Sequence, residues 1–225
     1  MNKLNHIAFI MDGNGRWGKK KGKSRNFGHI NGVNTVKKIV QYALQNKIPI
    51  LSFYVFSTEN WKRPKTEIKF LFNLINTYFK KEIESVMKNK IRIKIIGNLR
   101  KLPLNLVKNL KKITNLTKKN KNIIVNLALN YGSKNEITET VNKLIKNKIT
   151  INEKNIENQL YTKGMPLPDI LVRTGGQNRL SNFMLWQLAY SEIYFKKKLW
   201  PDFNEKDLKE IIKDYKKTKR NFGNI

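Results

Sequence analysis

Short apolar runs alternate with amphipathic segments along this chain, and that alternation is the feature that most constrains its fold. Six runs rich in Ile, Val, Leu and Phe occupy residues 7–11, 49–56, 91–96, 123–129, 169–173 and 192–195. Between the runs, apolar residues recur every three or four positions, which is typical of one buried helix face. Strands and helices in such alternation predict an α/β fold, with a mostly parallel central sheet of about six strands flanked by helices.

The length of the chain and the lack of repeats or linkers predict one domain over residues 1–225. The chain contains no cysteine, which excludes disulfides, thiolate nucleophiles and zinc–thiolate sites. No basic-then-apolar leader precedes the first strand, and the longest apolar run, residues 48–56, is about half of what a bilayer span needs. We therefore expect a cytoplasmic protein.

The net charge of +30 first suggests a nucleic-acid partner. The lysines are scattered over nearly every segment, however, rather than collected into one stripe or tail, and this favours a chain-wide composition bias with solvated side chains. We expect no nucleic-acid partner. A basic RNA-binding module remains the alternative, and salt-sensitive retention of RNA would support it.

Arginine is the more informative basic residue, because only eight of the 46 basic residues are Arg. A chain that otherwise uses Lys should keep Arg where a planar, two-pronged contact matters, as it does for phosphate. Five of the eight lie in or beside candidate phosphate-binding segments, namely Arg16, Arg25, Arg63, Arg173 and Arg179.

The first strand ends at Asp12 and is followed by Gly13, Asn14 and Gly15. A strand end with Gly-x-Gly before a helix is a place where main-chain N–H groups converge on an anion. A carboxylate beside a phosphate is repulsive unless a divalent cation lies between them. The combination predicts a magnesium-assisted phosphate site, although an ordinary turn is the commoner origin of such a sequence.

Two further strand ends carry polar residues, and ligands of open α/β sheets bind at the carboxyl ends of strands. The second run leads into Phe56-Ser-Thr-Glu-Asn-Trp61 and Arg63. The fifth run ends at Arg173 and continues through a Gly-Gly turn to Arg179 and Ser181. Two arginines and a serine around such a turn predict a second anion site.

In all of these segments the chain resembles the cis-prenyltransferases, and among them the bacterial undecaprenyl diphosphate synthases. The similarity covers essentially the whole chain, and several motifs in a fixed order are more specific than any one alone. The matching stretches are residues 6–17, Phe27-Gly-His29, 56–64, Asn130-Tyr-Gly132, 169–176, Ser181-Asn-Phe183 and 199–203.

This resemblance implies successive additions of isopentenyl diphosphate to farnesyl diphosphate, each making a cis double bond, in a magnesium-dependent homodimer that contacts the inner membrane face peripherally. It assigns catalytic roles to Asp12, Asn14, Ser57, Asn60 and Trp61. It assigns substrate binding to Gly13, Gly15, Arg16, Trp17, Arg25, His29, Phe56, Glu59, Arg63, Arg173, Arg179 and Ser181. Asp12 and Glu192 are the implied metal residues.

Within that set, Arg25, His29 and Arg63 belong with the first strand end and the allylic diphosphate, whereas Arg173 and Arg179, with Ser181, match the isopentenyl diphosphate site. Phe56 and Trp61 are expected to flank the allylic carbon. Ser57 and Asn60 are expected to hold the second substrate in line with that carbon. No side chain stands out as the proton acceptor.

The chain departs from the family pattern at three places that bear on the metal and on the second diphosphate site. Gln177 and Asn178 replace an acidic residue and, often, a histidine. Ser133-Lys134 stands where Gly-Arg is usual, and Asn221 replaces the arginine of a C-terminal Arg-x-Gly. A catalytically weak partner subunit, active only with a sister chain, is therefore a second alternative.

A growing isoprenoid chain must be shielded from water, so we expect an apolar tunnel between the sheet and the long helix. Its predicted walls are Ile10, Phe53, Ile95 and Leu127 on strands and Leu71, Ile75 and Phe79 on the helix. The alternative is that these residues form a solid core.

Overall fold

One sheet of six parallel strands organises the part of the chain that the computed structural model describes, residues 2–219. The strands are β1 (His6–Ile10), β2 (Ile50–Ser57), β3 (Ile91–Ile96), β4 (Ile123–Tyr131), β5 (Ile170–Arg173) and β6 (Glu192–Phe195). The α-helices are α1 (Asn14–Lys20), α2 (Arg25–Gln45), α3 (Lys65–Lys88), α4 (Leu104–Thr117), α5 (Ser133–Lys146), α6 (Glu153–Glu157) and α7 (Glu205–Lys217). The predicted α/β fold is confirmed.

The order of the strands, β3-β4-β2-β1-β5-β6, places a crevice beside β1. Alternating residues of β1 separate the two faces of the sheet. Ile7 and Phe9 pack with residues of α2, α3, α4 and α7, while Ala8 and Ile10 pack with the segment 183–188 that follows β5. The segment that follows β1 therefore packs on one face of the sheet, and the segment that follows β5 packs on the other. Ligands of open α/β sheets bind in the crevice between two neighbouring strands whose connections leave on opposite faces.

The strands begin and end within two residues of their predicted positions, but helix α1 was not predicted. Its sequence contains two glycines, which disfavour a helix. Gly18 of α1 and Gly28 of α2 are needed because the two helices touch through their main chains: a Cβ on Gly18 would lie 2.2 Å from the Ser24 carbonyl oxygen, and one on Gly28 would lie 1.9 Å from that of Asn14. Close packing of the two helices therefore outweighs local propensity.

His6 belongs to a fully buried polar network at the start of β1. Its Nδ1 lies 2.9 Å from the Pro166 carbonyl oxygen, which can only accept, so Nδ1 carries the proton. Its Nε2 then accepts from Ser52 Oγ at 2.7 Å, and Ser52 Oγ in turn accepts from Asn126 Nδ2 at 2.9 Å. Burial lowers the pKa of His6 to about 4, against the opposing effects of Pro166 and Asp169. The role of His6 is structural.

Acidification from pH 7 to pH 5 is therefore expected to lower the free energy of unfolding by about 2 kcal/mol through His6. Unfolded His6 binds its proton near pH 6.5, whereas the folded residue binds it near pH 4. This stabilisation is complete above pH 6.5 and is lost as the pH falls towards 4. Urea titrations of a His29→Gln variant isolate the effect, and an unchanged unfolding free energy between pH 7 and pH 5 would contradict it.

Candidate active site

A cavity of about 320 Å³ opens at the carboxyl ends of β1, β2 and β5. It brings together nine of the residues proposed from the sequence, which are Asp12, Asn14, His29, Ser57, Asn60, Arg63, Arg173, Arg179 and Ser181. Ile10, Met11, Tyr54, Val55 and Leu71 complete its lining. Residues from three separate strand ends therefore meet in one place.

Ion pairs of Asp12 connect the end of β1 to helix α1 and to the end of β5. Its Oδ1 accepts from Arg16 Nη2 at 3.1 Å, and its Oδ2 accepts from Arg173 Nη2 at 3.0 Å. The carboxylate side chain remains 29% exposed. Its main-chain oxygen accepts from Thr174 Oγ1 and from the Trp200 N–H, which fixes the end of β1 against the loop after β5.

Arg173 is the buried centre of the predicted second anion site, with a side chain only 4% exposed. Its Nη1 donates to Ser181 Oγ at 2.8 Å and to the Arg179 carbonyl oxygen. The guanidinium of Arg179 is exposed at the cavity, where its Nη1 donates to Gln177 Oε1 at 2.6 Å. The two arginines thus differ: Arg173 is buried and fixed by its hydrogen bonds, whereas Arg179 is exposed and accessible to a ligand.

Asn182 connects the predicted second anion site to the loops that follow β2 and β4. Its Nδ2 donates to Glu59 Oε1 at 2.9 Å, and its Oδ1 accepts from the Lys134 N–H at 2.9 Å. Ser181 and Asn182 both adopt left-handed conformations, with φ of 49° and 63°. Ser133, one of the departures from the family pattern, is accommodated because its Oγ accepts from the Leu185 N–H.

A second group of charges surrounds Glu67, which sequence analysis did not identify. Glu67 is 8% exposed, and its carboxylate contacts Arg25, His29 and Arg63. Although burial alone would raise the pKa of Glu67, the hydrogen bonds and charge of Arg25 and the charge of Arg63 lower it. Burial and the neighbouring Arg63 lower the pKa of His29, against the opposing charge of Glu67. The one feature of the sequence that could have identified Glu67 is its position four residues after Arg63, but an acidic residue there is also common at the start of a helix.

Asn14, the first residue of α1, is held in place by close contact with α2. A Cβ on Gly32 would lie 2.1 Å from Asn14 Oδ1, so only glycine fits there. Asn14 Nδ2 donates to the Met11 carbonyl oxygen at 3.1 Å, whereas its Oδ1 is buried without a hydrogen-bond partner. Arg173 Nε is also buried without a partner. Both residues line the cavity.

The turn after β2 is fixed internally. The Ser57 N–H donates to Asn60 Oδ1 at 3.2 Å, and the two residues form a reciprocal capping box. Trp61 donates from Nε1 to Asn130 Oδ1 at 2.7 Å and packs edge-on against Phe56. Phe56 is only 1% exposed, so the structure places it in the core behind Trp61. Direct substrate contacts of Phe56 and Trp61 remain predictions.

The other proposed residues lie beside the cavity or away from it. Gly13 is buried at the N-cap of α1 and Gly15 in its first turn, and Trp17 stacks on Phe27 while its Nε1 donates to Asp202 Oδ1. Glu192 pairs with Ile170 at the start of β5, three residues before Arg173, which is about 10 Å along the strand. The structure therefore does not bring Glu192 to Asp12 within this chain.

Two small apolar cavities continue from the site between the sheet and helices α2 and α3. The first, of about 90 Å³, shares Met11 and Val55 with the polar cavity. The second, of about 110 Å³, shares Tyr78, Phe79 and Leu127 with the first. Phe53 and Ile75 line the first of these cavities, whereas Ile95 lines a different cavity beside α4. A continuous tunnel stays a prediction.

Residues 10–223 match the family model described as putative undecaprenyl diphosphate synthase. The isoprenyl transferase of Fusobacterium nucleatum is 45% identical over 98% of this chain and 96% of its own length. That of Wolinella succinogenes is 44% identical over 100% of this chain and 99% of its own length.

Two solved structures share the fold. Lavandulyl diphosphate synthase from Lavandula x intermedia, in complex with dimethylallyl diphosphate, has a TM-score of 0.93 and 34% identity, covering 97% of this chain and 98% of its own. A probable undecaprenyl diphosphate synthase from Campylobacter jejuni has a TM-score of 0.85 and 37% identity, covering 99% and 100%. The chain belongs to the undecaprenyl diphosphate synthase family and is a prenyltransferase.

Proposed function

We propose that this prenyltransferase condenses isopentenyl diphosphate units onto farnesyl diphosphate and makes undecaprenyl diphosphate, the precursor of a lipid carrier for cell-wall polysaccharides. The observation that carries the proposal is the single cavity in which Asp12 lies between two sets of basic groups. One set is Arg63 and His29, and the other is Arg173 and Arg179. Two diphosphates held on either side of one carboxylate are what such a condensation requires.

The two basic sets have different supports, which suits two different substrates. Arg63 and His29 line the polar cavity together with Met11 and Val55, which also line the first apolar cavity, and dimethylallyl diphosphate in the Lavandula enzyme is an allylic diphosphate. Arg173, Arg179 and Ser181 lie on the loop after β5, next to the turn that carries Ser57 and Asn60. We assign the first set to the allylic diphosphate and the second to isopentenyl diphosphate.

Asp12 fits a magnesium ion that is completed by substrate. Mg²⁺ is commonly held by one or two carboxylates together with substrate phosphates and water. Residues 2–219 contain no group of three or more acidic, His or Cys side chains that would hold a metal unaided, while the Asp12 carboxylate faces the cavity. When bound, the ion would neutralise charge on the departing diphosphate.

The chain's own residues supply the remaining electrostatics. Breaking the allylic C–O bond places negative charge on the diphosphate, and the guanidinium groups of Arg25 and Arg63 stabilise that charge. The locked turn holds Ser57 and Asn60 in fixed positions, so they orient the attacking double bond towards the allylic carbon. No described side chain is assigned as the proton acceptor.

The apolar cavities are the proposed tunnel for the growing product. They lead away from the diphosphate end, between β2 and β4 on one side and α2 and α3 on the other. Each CH₂ group removed from water contributes about 0.8 kcal/mol, so a lengthening chain favours this path over solvent. In the structure these cavities are separate from each other, so the side chains between them must move before a long product can occupy both.

The proposed assembly is a homodimer through β6. This strand is the last of the sheet order, and Ile193 and Phe195 expose 40% and 39% of their surface there. An apolar edge strand invites a second strand or a covering surface. Pairing of two copies at this edge would also bring Glu192 of each chain to the interface. Asn221 lies outside the described residues.

We further propose a cytoplasmic enzyme that touches the inner membrane face when it releases its product. Among residues 2–219, no helix is both long and apolar enough to cross a membrane. Undecaprenyl diphosphate is almost wholly apolar, so its transfer into a bilayer favours a peripheral contact.

Release of inorganic diphosphate tests the function. The purified protein with Mg²⁺ should release it only when farnesyl diphosphate and isopentenyl diphosphate are both present. Release with either substrate alone would indicate hydrolysis instead. If release occurs only after a sister chain is added, the protein is the weak partner subunit.

Arg179→Lys is expected to raise KM for isopentenyl diphosphate at least about tenfold and to leave KM for farnesyl diphosphate nearly unchanged, because a lysine cannot reproduce a two-pronged phosphate contact. Steady-state kinetics with each substrate varied in turn measure both constants. Equal effects on the two constants would show that the division into two sites is wrong.

The Gln177→Glu, Asn178→His double variant is expected to need less magnesium than the natural chain for half-maximal activity. We propose that the replaced acidic and imidazole groups of the family pattern help to hold the metal, whereas Gln177 here contacts only the guanidinium of Arg179 among its described hydrogen bonds. Magnesium titrations of both proteins compare the requirement. An unchanged requirement would place these two positions outside the metal site.

A further inference from the structure

Both oxygens of Glu67 bind basic side chains, as those of Asp12 do, but Glu67 holds three such groups instead of two, and its side chain is 9% exposed against 29% for Asp12. Oε2 accepts from Arg25 Nε at 3.0 Å, and Oε1 accepts from Arg25 Nη2 at 3.1 Å. Oε1 also lies 3.1 Å from Arg63 Nη1 and 3.3 Å from His29 Nε2. One carboxylate on the first turn of α3 thus holds three groups from two other segments.

The side chains around Glu67 are arranged from buried to exposed. The side chain of Glu67 is 9% exposed and that of His29 is 11%, whereas those of Arg63 and Arg25 are 33% and 45% exposed. Glu67 does not line the cavity, but His29 and Arg63 do. Its influence on a ligand must therefore pass through the basic groups that it holds.

We propose that Glu67 is a positioning residue that holds Arg25, His29 and Arg63 as one preformed clamp for the diphosphate of the allylic substrate. This inference rests on the proposed function. The two guanidinium groups would otherwise repel each other, and all three side chains could point into solvent, so ordering them on binding would cost affinity. The carboxylate orders them beforehand.

The direction in which removal of the Glu67 carboxylate changes the affinity for the allylic substrate separates a positioning role from a simpler electrostatic role. A carboxylate near a diphosphate repels it, so removal of a mere counter-charge would tighten binding of the allylic substrate. Removal of a positioning group would weaken that binding, because the clamp loses its geometry. The two roles predict opposite changes in one constant.

The test is the Glu67→Gln variant, assayed with Mg²⁺ and each substrate varied in turn. We expect KM for farnesyl diphosphate to rise about tenfold or more, with KM for isopentenyl diphosphate changed less than about twofold. Glu67→Asp, which keeps the charge, should recover part of the affinity. Asp207→Asn is the matched control, because it removes the carboxylate of an ion pair with Lys198 that lies outside the cavity, and it should leave both constants unchanged.

A second readout reports the clamp without activity. The chain contains only two histidines, so proton NMR resolves His6 and His29 individually. Loss of the Glu67 charge should lower the pKa of His29 further, because the charges of Arg63 and Arg25 then act on it unopposed. The pKa of His6 should not move.

Unchanged KM for farnesyl diphosphate with an unshifted His29, or a lower KM for farnesyl diphosphate, would overturn the inference. If Glu67→Gln does not fold, KM for farnesyl diphosphate is measured with Glu67→Asp instead, and an unchanged or lower value would overturn the inference. An inactive natural chain would instead refute the proposed function, and the His29 titration would still test the clamp.

Discussion

Asp12→Asn is expected to lower kcat for prenyl transfer by at least about a hundredfold, the effect of losing a charge contact in the transition state. The substitution keeps the shape of the side chain, and that side chain is partly exposed, so folding should be preserved. Steady-state assays at saturating substrate measure kcat, and circular dichroism checks the fold. Asp207→Asn again provides the control.

The structure gives Asp12 two tasks, and a magnesium titration separates them. Its carboxylate holds Arg173 and Arg16 as well as facing the proposed metal position. If only the arginines matter, Asp12→Asn should show the same magnesium requirement as the natural chain. We expect a higher requirement, since the ion loses its protein ligand. Full activity of Asp12→Asn would remove Asp12 from the mechanism.

Leu127→Trp is expected to shorten the products while the first condensation proceeds at a nearly normal rate. Leu127 on β4 is 9% exposed and lines both apolar cavities, so an indole there blocks the path beyond the first. In a solid core the same change would destabilise the fold by about 1 to 3 kcal/mol without altering the products. Chromatographic sizing of the products, together with urea unfolding, distinguishes these outcomes.

Ile95→Trp is the matched control for the tunnel, since Ile95 lies on the neighbouring strand β3 but lines the cavity beside α4. Its products should keep the natural length. Full-length products from a destabilised Leu127→Trp protein would rule out the tunnel at that position.

The strands and their functional ends could be predicted because both depend on local sequence. Buried parallel strands are continuous apolar runs, and the residues that follow them face one edge of the sheet. Asp12, Arg63 and Arg173 were therefore identified before their contacts were known. Family resemblance then supplied the substrates, which strand patterns do not encode.

The remaining features depend on contacts between distant segments. Glu67 resembled an ordinary acidic residue at a helix start, and its contact with Arg25, 42 residues away, exists only in the folded chain. Phe56 appeared beside catalytic residues in sequence, yet an irregularity of β2 between Tyr54 and Phe56 turns its side chain into the same core as Phe53. Helix α1 was missed because Gly18 is required by packing against α2, which local propensity does not include.

The most direct test of the account is the structure of the product itself. The purified protein is incubated with Mg²⁺, farnesyl diphosphate and carbon-13-labelled isopentenyl diphosphate, and the product is sized and its new double bonds are assigned by NMR. The account predicts a long-chain diphosphate in which every added unit carries a cis double bond. Trans double bonds, or a product that stops after one addition, would contradict it.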